Sequence, residues 1–443
     1  MMGMVNQPRE PQPTRFKITG RVRCPSSSIF PEPIDEQQKL SLFEAGAKPL
    51  KIFLHDYPGH AFPVHLSRAL AQAGHEVVHA YAAVLESPRG GLERRPSDPE
   101  GLTILPIITG ATMNKYAMVR RVIEEREYGM KLAKAIAEAK PDLFVTCTTP
   151  NDVLDMLRTK LPKDLRIIWW LQDIYSVGIR SVLSRKLPVI GALAGAVYRF
   201  KEKRFAGRAD HIVSITPDFV PFLKGLGVPM EKISVIENWA PADEITPLPR
   251  ENAWKHEQGL SGKRVVLYSG TLGLKHNPAL LLHTAAHYQE QQRDEVMVVV
   301  TTQGLGAEFL RREAKERSIH NLKILPWQPY ERLPEVLSSA DILTAIIEPE
   351  AGLFSVPSKI LSCFCAGRPL VASIPADNLA ARTIAKARSG FVVEPGDESG
   401  FISRIDQLLD SPELAEELGR NGRAYASETF DISPIAGRFL ALA

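Results

Sequence analysis

The sequence predicts an α/β protein of two doubly wound parallel-sheet domains that face each other across a cleft. Three observations predict it. The chain has 443 residues, about three times a usual domain. Short apolar runs alternate with helical patterns in two successive series, and a stretch rich in proline and acidic residues separates them.

In chain order, 34 prolines outnumber 30 glycines, and six of them (Pro8, Pro11, Pro13, Pro25, Pro31, Pro33) precede residue 34. With Ser26-Ser27-Ser28 and little apolar periodicity, residues 1–47 read as a disordered extension. The first domain, 48–240, opens with a buried strand at Lys51–Leu54. An amphipathic helix follows over Pro63–Ala73, closed by Gly74, and then a second strand from His75 to Val78, which together make a βαβ unit. The pattern recurs at Leu143–Thr146, Ile167–Trp170 and His211–Ser214. A linker is expected at 241–262. The second domain, 263–425, carries strands at Val265–Tyr268, Val296–Thr301, Leu322–Leu325, Ile342–Ile347 and Leu370–Ser373. Residues 426–443 are expected to form a helix returning to the first domain. Ligands of such sheets sit at the carboxyl ends of strands, so the loops there are the candidates for chemistry.

Lys and Arg number 54 against 51 Asp and Glu, a net +3 that is too balanced for coating nucleic acid. Cys24, Cys147, Cys363 and Cys365 are too few and too badly spaced for a disulfide framework or a zinc site, which suits a reducing cytoplasm. No uncharged run approaches the ~20 residues of a membrane span, and the N-terminus lacks the order of a signal peptide. No Asp-x-Asp pair occurs, which removes a usual carboxylate seat for a metal bound to a diphosphate, and no metal is expected. Gly304-Leu305-Gly306 has Phe309 where a dinucleotide fingerprint needs glycine.

Two loops share one design. Glu348 to Lys359 follows a strand and leads to a helix that Pro357 can open and Gly367 can close, with Lys359 and free N–H groups aimed at an anion. Glu350 is placed to accept sugar or ribose hydroxyls. Ser269-Gly270-Thr271 runs on to Gly273, Lys275, Asn277 and Pro278, so the backbone can approach a ligand, Lys275 adds a charge, and Asn277 caps a helix that Pro278 begins. One anionic ligand between the two loops accounts for both. From the first domain, Gly59 and His60 follow the first strand, and Asp173 follows Ile167–Trp170, where it orients an acceptor hydroxyl or caps a turn.

Residues 178–208 hold eight basic residues (Arg180, Arg185, Lys186, Arg199, Lys201, Lys203, Arg204, Arg208) against Glu202, a local +7. Within them Leu187–Tyr198 is uncharged. It is read either as an interfacial segment on an anionic membrane or as a helix packed on its own domain with a basic solvent face.

Ser269-Gly270-Thr271 with Lys275, Asp341-Ile342, the Glu350–Lys359 loop, Gly367-Arg368-Pro369-Leu370-Val371-Ala372-Ser373 and Gly390 to Asp397 together resemble glycosyltransferase family 4. Gly74-His75-Glu76-Val77 and Ile236-Glu237-Asn238-Trp239 extend the resemblance over roughly residues 50–430. It implies the GT-B fold and a retaining enzyme using a nucleoside diphosphate sugar, similar to transferases of bacterial exopolysaccharide and lipopolysaccharide, colanic acid among them. Read on a membrane, the basic stretch 178–208 points to a lipid-linked glycan acceptor at the inner face of the cytoplasmic membrane. Lys275, Lys359, Glu350 and Asp173 become catalytic candidates. Gly59, His60, Gly270, Thr271, Gly352, Leu353, Ser358 and Ser362 become substrate-binding ones, with the base near Trp327 and Gln328. Two departures stand out. The family's second glutamate, eight positions beyond the first and five before the closing glycine, is Ser358 by one count and Ser362 by the other, and the family's histidine is Gln172. A sugar-nucleotide epimerase using Asp56, His60 and Asp173, or a non-catalytic binding protein, are the alternatives.

Overall fold

The computed structural model describes residues 48–85, 87–110, 118–184, 187–273 and 276–443. The expected extension at 1–47 and Lys275 lie outside them.

Thirteen strands among these residues form two all-parallel sheets. The first holds β1 (Lys51–Asp56), β2 (Glu76–Ala82), β3 (Leu102–Ile107), β4 (Leu143–Cys147), β5 (Arg166–Leu171), β6 (His211–Ser214) and β7 (Ile233–Val235), in the order β3-β2-β1-β4-β5-β6-β7. The second holds β8 (Arg264–Ser269), β9 (Val296–Thr301), β10 (Leu322–Leu325), β11 (Ile342–Ile346), β12 (Leu370–Ser373) and β13 (Gly390–Val393), in the order β10-β9-β8-β11-β12-β13. Each sheet reverses its strand order once, between β1 and β4 and between β8 and β11. Those switch points open crevices at the carboxyl ends, and the site lies there.

Central strands are buried on both faces, which is why β4, β11 and β12 read as largely apolar runs with buried Thr146, Thr344 and Ser373 as their polar members. Local signals act as the sequence predicts. Asn277 Oδ1 accepts from Ala279 N at 3.1 Å, capping the helix that Pro278 opens. Gly74, at φ +92°, follows the helix Ala61–Gln72. Three strands, β3, β7 and β13, are additional to those expected, and so is the helix Met118–Ala139. Within 241–262 a short helix, Ala253–Glu257, buries Trp254 completely in the second domain.

The closing helix, Ile432–Leu440, packs on the helix Ala61–Gln72. Its Phe439 ring meets Trp170 at 4.8 Å, and Trp170 stacks on Trp239 at 5.4 Å and 12°. Phe62 sits edge-on to both tryptophans. This block joins segments far apart in sequence directly beneath the cleft, each ring pair contributing about 0.5–1.5 kcal/mol beyond its burial. Cys363 and Cys365 are buried in the core.

Candidate active site

Between the domains lies a cavity of about 530 Å³ with walls from both. On the second-domain side β8 ends at Ser269 and turns at Gly270, whose φ of +128° excludes side chains without strain. Tyr268, fully buried, ties this turn by donating from its hydroxyl to the Thr271 carbonyl at 2.7 Å. The Lys359 ammonium rests on the face of that same ring, 3.6 Å from its centroid, and a Cβ on Gly270 would stand 3.6 Å from the Lys359 Nζ. This Nζ is shut off from solvent and has no hydrogen-bond partner among the described residues. Burial pushes its pKa down to about 7, an effect the neighbouring Cys363 thiol only partly opposes.

The first-domain wall differs in character. Asp56, at the end of β1, is fully buried and accepts the backbone N–H of His60, whose Nδ1 lies 3.5 Å from the same carboxylate oxygen. Burial works against charge on both. For Asp56 the nearby His60 outweighs it and holds the carboxyl below its ordinary value; for His60 the charges of Asp56 and Asp173 and the Asp56 hydrogen bond raise the imidazole above its own. The His60 ring stacks on Phe62. Beside it the amides of Gln172 and Asn238 bond reciprocally, at 3.1 and 2.6 Å, within the first domain just before the chain crosses to the second.

Of the residues the sequence singles out, Asp173, His60, Gly270, Thr271, Ser358, Lys359 and Ser362 line the cavity together. Gly59, Trp327, Gln328, Glu350, Gly352 and Leu353 do not belong to that lining. Gly59 is buried at φ +77° with Leu92 packed on it, and its carbonyl accepts from Gly90 N at 2.8 Å. Gln328 accepts from Trp254 Nε1 at 2.8 Å and donates to the Pro326 carbonyl. Glu350 and Leu353 are exposed, on and just after a four-residue helical turn, Pro349–Gly352. The Gly352 carbonyl accepts from Asn378 Nδ2 at 3.0 Å. The turn faces away because Phe354 docks on the first domain. Its carbonyl accepts from Ile174 N at 3.1 Å, and its ring lies 3.0 Å from where Gly178 would carry a Cβ. The helix expected to open at Pro357 begins instead at Lys359 and has seven residues, since Ser358 still occupies a turn.

Sequence reasoning misses Tyr268, which reads as plain core, and the Gln172–Asn238 pair. Asn238 had a signal in Ile236-Glu237-Asn238-Trp239; Tyr268 had none. Among the described residues no group of three or more His, Cys, Asp or Glu side chains converges as a metal site.

Two parallel doubly wound sheets with their switch points turned toward a shared cavity define a GT-B protein. Sucrose-phosphate synthase from Thermosynechococcus elongatus superposes with a TM-score of 0.65 at 16% identity, over 88% of this chain and 97% of its own. Anabaena HepE, solved in complex with UDP-glucose, does so at 0.64 and 15%, over 89% and 100%. The likeness to both is one of fold. Family models for the glycosyl transferase 4-like domain and for glycosyl transferases group 1 match residues 60–239 and 250–425. The chain belongs to this glycosyltransferase family. WcaI of Escherichia coli, named for colanic acid biosynthesis, is 24% identical over 237 residues, 52% of this chain and 56% of WcaI. The chain spans about half the length of the curated relatives it matches.

Proposed function

We propose that the chain transfers a sugar from a nucleoside diphosphate sugar to an acceptor hydroxyl, with retention at the anomeric carbon and without a metal ion. The observation that carries this is the Lys359 amine, buried in the cavity wall beside the open Gly270 backbone with no hydrogen-bond partner among the described residues. A buried cation without a partner is costly, and a diphosphate supplies the missing acceptor oxygens. As the bond from the sugar to the diphosphate breaks, negative charge collects on the leaving oxygen, and a cation held out of water stabilises that charge. The new bond joins the acceptor oxygen to the same sugar carbon, and the acceptor hydroxyl's proton passes to the departing diphosphate oxygen.

Lys275, in the glycine loop, supplies a second cation. Asp173 on the facing wall orients the acceptor. Ser358 and Ser362 take the nucleotide ribose where the family's second glutamate is missing. HepE binds UDP-glucose, so a UDP-sugar is the first donor to try. The acceptor is a lipid-linked glycan of bacterial surface polysaccharide, a reading supported by the name of WcaI.

A panel of UDP-, GDP- and dTDP-sugars, assayed for nucleotide release with and without acceptors, tests the reading. Release from at least one donor, undiminished by EDTA, is expected; silence across the panel sinks it, and a strict metal requirement removes the metal-free part. The acid/base cluster of Asp56, His60 and Asp173 favours one second reading, a sugar-nucleotide epimerase. Solvent deuterium entering the sugar without an acceptor would replace the transferase with it.

A further inference from the structure

The helix Pro188–Ala206 is built inside out. Its inward stripe is small: Gly191 and Gly195 press so closely on the helix Tyr175–Ser184 that a Cβ on Gly191 would stand 2.4 Å from Ser184 Oγ, and one on Gly195 2.8 Å from the Arg180 Cβ. Glu202 and Phe205 complete that stripe, and Glu202 accepts from Ser176 N at 2.9 Å and Asn151 Nδ2 at 3.2 Å. The outward stripe is large and apolar. Val189 (81% exposed), Ile190, Leu193 (67%), Val197 and Phe200 (59%) follow one another at helical spacing on the opposite face. Leu187 and Val182 extend it. Scattered exposed apolar residues are ordinary, but seven of the thirteen large ones exposed among the described residues fall between 182 and 200.

Charge selects the occupant. The stripe runs into Lys203 and Arg204, both exposed, with the Arg204 guanidinium 5.4 Å over the Phe200 ring and its Nη1 3.5 Å from Asp155. Arg180 is exposed on the neighbouring helix. The one acidic residue in 178–208, Glu202, faces inward. Three basic residues that the sequence counts toward this patch are held by the domain itself, among them Arg208, which donates to the Pro162 and Leu165 carbonyls at 2.6 and 2.9 Å. Arg199 donates to the Gly225 carbonyl at 2.9 Å, and Lys201 pairs with buried Asp152 at 2.6 Å. What remains is a helix of 19 residues with an apolar outer face, a cationic end and no outward carboxylate. No helix among the described residues is long and apolar enough to cross a membrane.

We propose that this outer face lies in the interface of an anionic lipid bilayer, with Val189, Leu193, Val197 and Phe200 entering the acyl boundary and Lys203 and Arg204 meeting the headgroups. The neighbouring helix begins two residues after Asp173, a lining residue of the cavity. Seating the hairpin on the bilayer therefore brings the cavity's first-domain wall to the surface, which rests on the reading of the acceptor as lipid-linked.

The full chain is sedimented with vesicles of phosphatidylglycerol and phosphatidylcholine, or of phosphatidylcholine alone. Wild type is expected in the pellet with the anionic vesicles only, and high salt releases much of it. The triple variant Leu193→Ser, Val197→Ser, Phe200→Ser loses binding at least about a hundredfold, since three large apolar groups no longer leave water on docking. Lys203→Gln with Arg204→Gln weakens it by up to about thirtyfold, the sum of two headgroup charges lost. Failure of wild type to bind anionic vesicles, or equal binding by the triple variant, overturns the proposal. So does a dimer that the triple variant abolishes while vesicles bind neither form, because the occupant is then a second copy. If the triple variant does not fold, the charge variant decides. Donor hydrolysis is followed in parallel and is expected to be unchanged in both variants; a protein that binds vesicles but hydrolyses no donor removes the transferase reading and leaves the docking in place.

Discussion

The two walls of the cavity handle charge in opposite ways. On the second-domain wall a single ammonium, Lys359, is buried against Tyr268 with its hydrogen-bonding capacity unspent among the described residues. On the first-domain wall Asp56 and His60 face each other as opposite charges at 3.5 Å and the amides of Gln172 and Asn238 bond each other, while Asp56 Oδ1 and His60 Nδ1 have no hydrogen-bond partner among the described residues. An unspent buried charge costs folding and awaits a ligand, whereas a matched pair holds geometry. The difference teaches where to look for binding energy: at the charge the fold leaves without a counter-charge.

The largest expected effect breaks the unspent side. Lys359→Ala should lower turnover by roughly 10²–10³, by analogy with removing one donor to a developing negative charge, and Lys275→Ala added to it should be non-additive because both address one leaving group. Steady-state rates of nucleotide release check this; wild-type turnover in Lys359→Ala would strip the lysine of its role. A volume-keeping, uncharged substitution of Lys359 should act on stability differently from one on the facing wall. Asp56→Asn should destabilise by about 1–3 kcal/mol, since it leaves His60 without its counter-charge, and the His60 titration, followed by NMR, should fall back toward its ordinary value. Lys359→Met should not destabilise at neutral pH, because it removes a buried cation. Denaturant melts of both variants decide whether the contrast holds.

How much of this was legible depends on how local the cause is. Leu143–Thr146, Ile342–Ile347 and Leu370–Ser373 are readable as strands because both faces of a parallel sheet are covered. The edge strand β3 is not: Pro106 and the exposed Thr103 hide it. Gly270 is readable as a site residue because it directly follows a strand end, and Lys359 because a loop leaving a strand leads to the helix that it begins. Tyr268 gives nothing away, since a ring that carries a cation looks in sequence like one that fills a core. Gln172 and Asn238 lie 66 positions apart, beyond any local pattern. Glu350 was expected in the cleft from its loop alone. Its outward course follows from Phe354 packing near Gly178, a contact between domains that no local spacing encodes.

A smaller effect sharpens the comparison through pH. With Lys359 shifted from 10.5 to about 7, the unfolded chain binds the extra proton between those values. Stability contributed by this group therefore rises with pH across that window and is least below it. Thermal melts from pH 7 to 9 should show wild type gaining relative to Lys359→Met. Donor affinity should move the other way, falling as pH rises above about 7, because the diphosphate binds the protonated amine. Parallel pH profiles in the two proteins would remove the amine as their cause.

The smallest expected effect tests whether charge pairing matters once water reaches it. Arg382, on the helix Leu379–Ala387 of the second domain, meets Asp218 of the first at 2.6 Å, with 41% and 47% of the two side chains exposed. It looks like a clamp between the domains. Solvent screens such a pair, and holding two flexible side chains together offsets much of the attraction, so exposed pairs are worth about 0–1 kcal/mol. The domains are already joined by buried apolar contacts, Phe439 on Trp170 among them. Arg382→Ala should therefore leave the unfolding free energy within about 0.5 kcal/mol of wild type, and salt should change the two proteins alike. A loss well above 1 kcal/mol, larger at low salt, would show that the domains are held together by paired charge at the rim, and the distinction drawn between the cavity's two walls would then need to be extended to the whole interface.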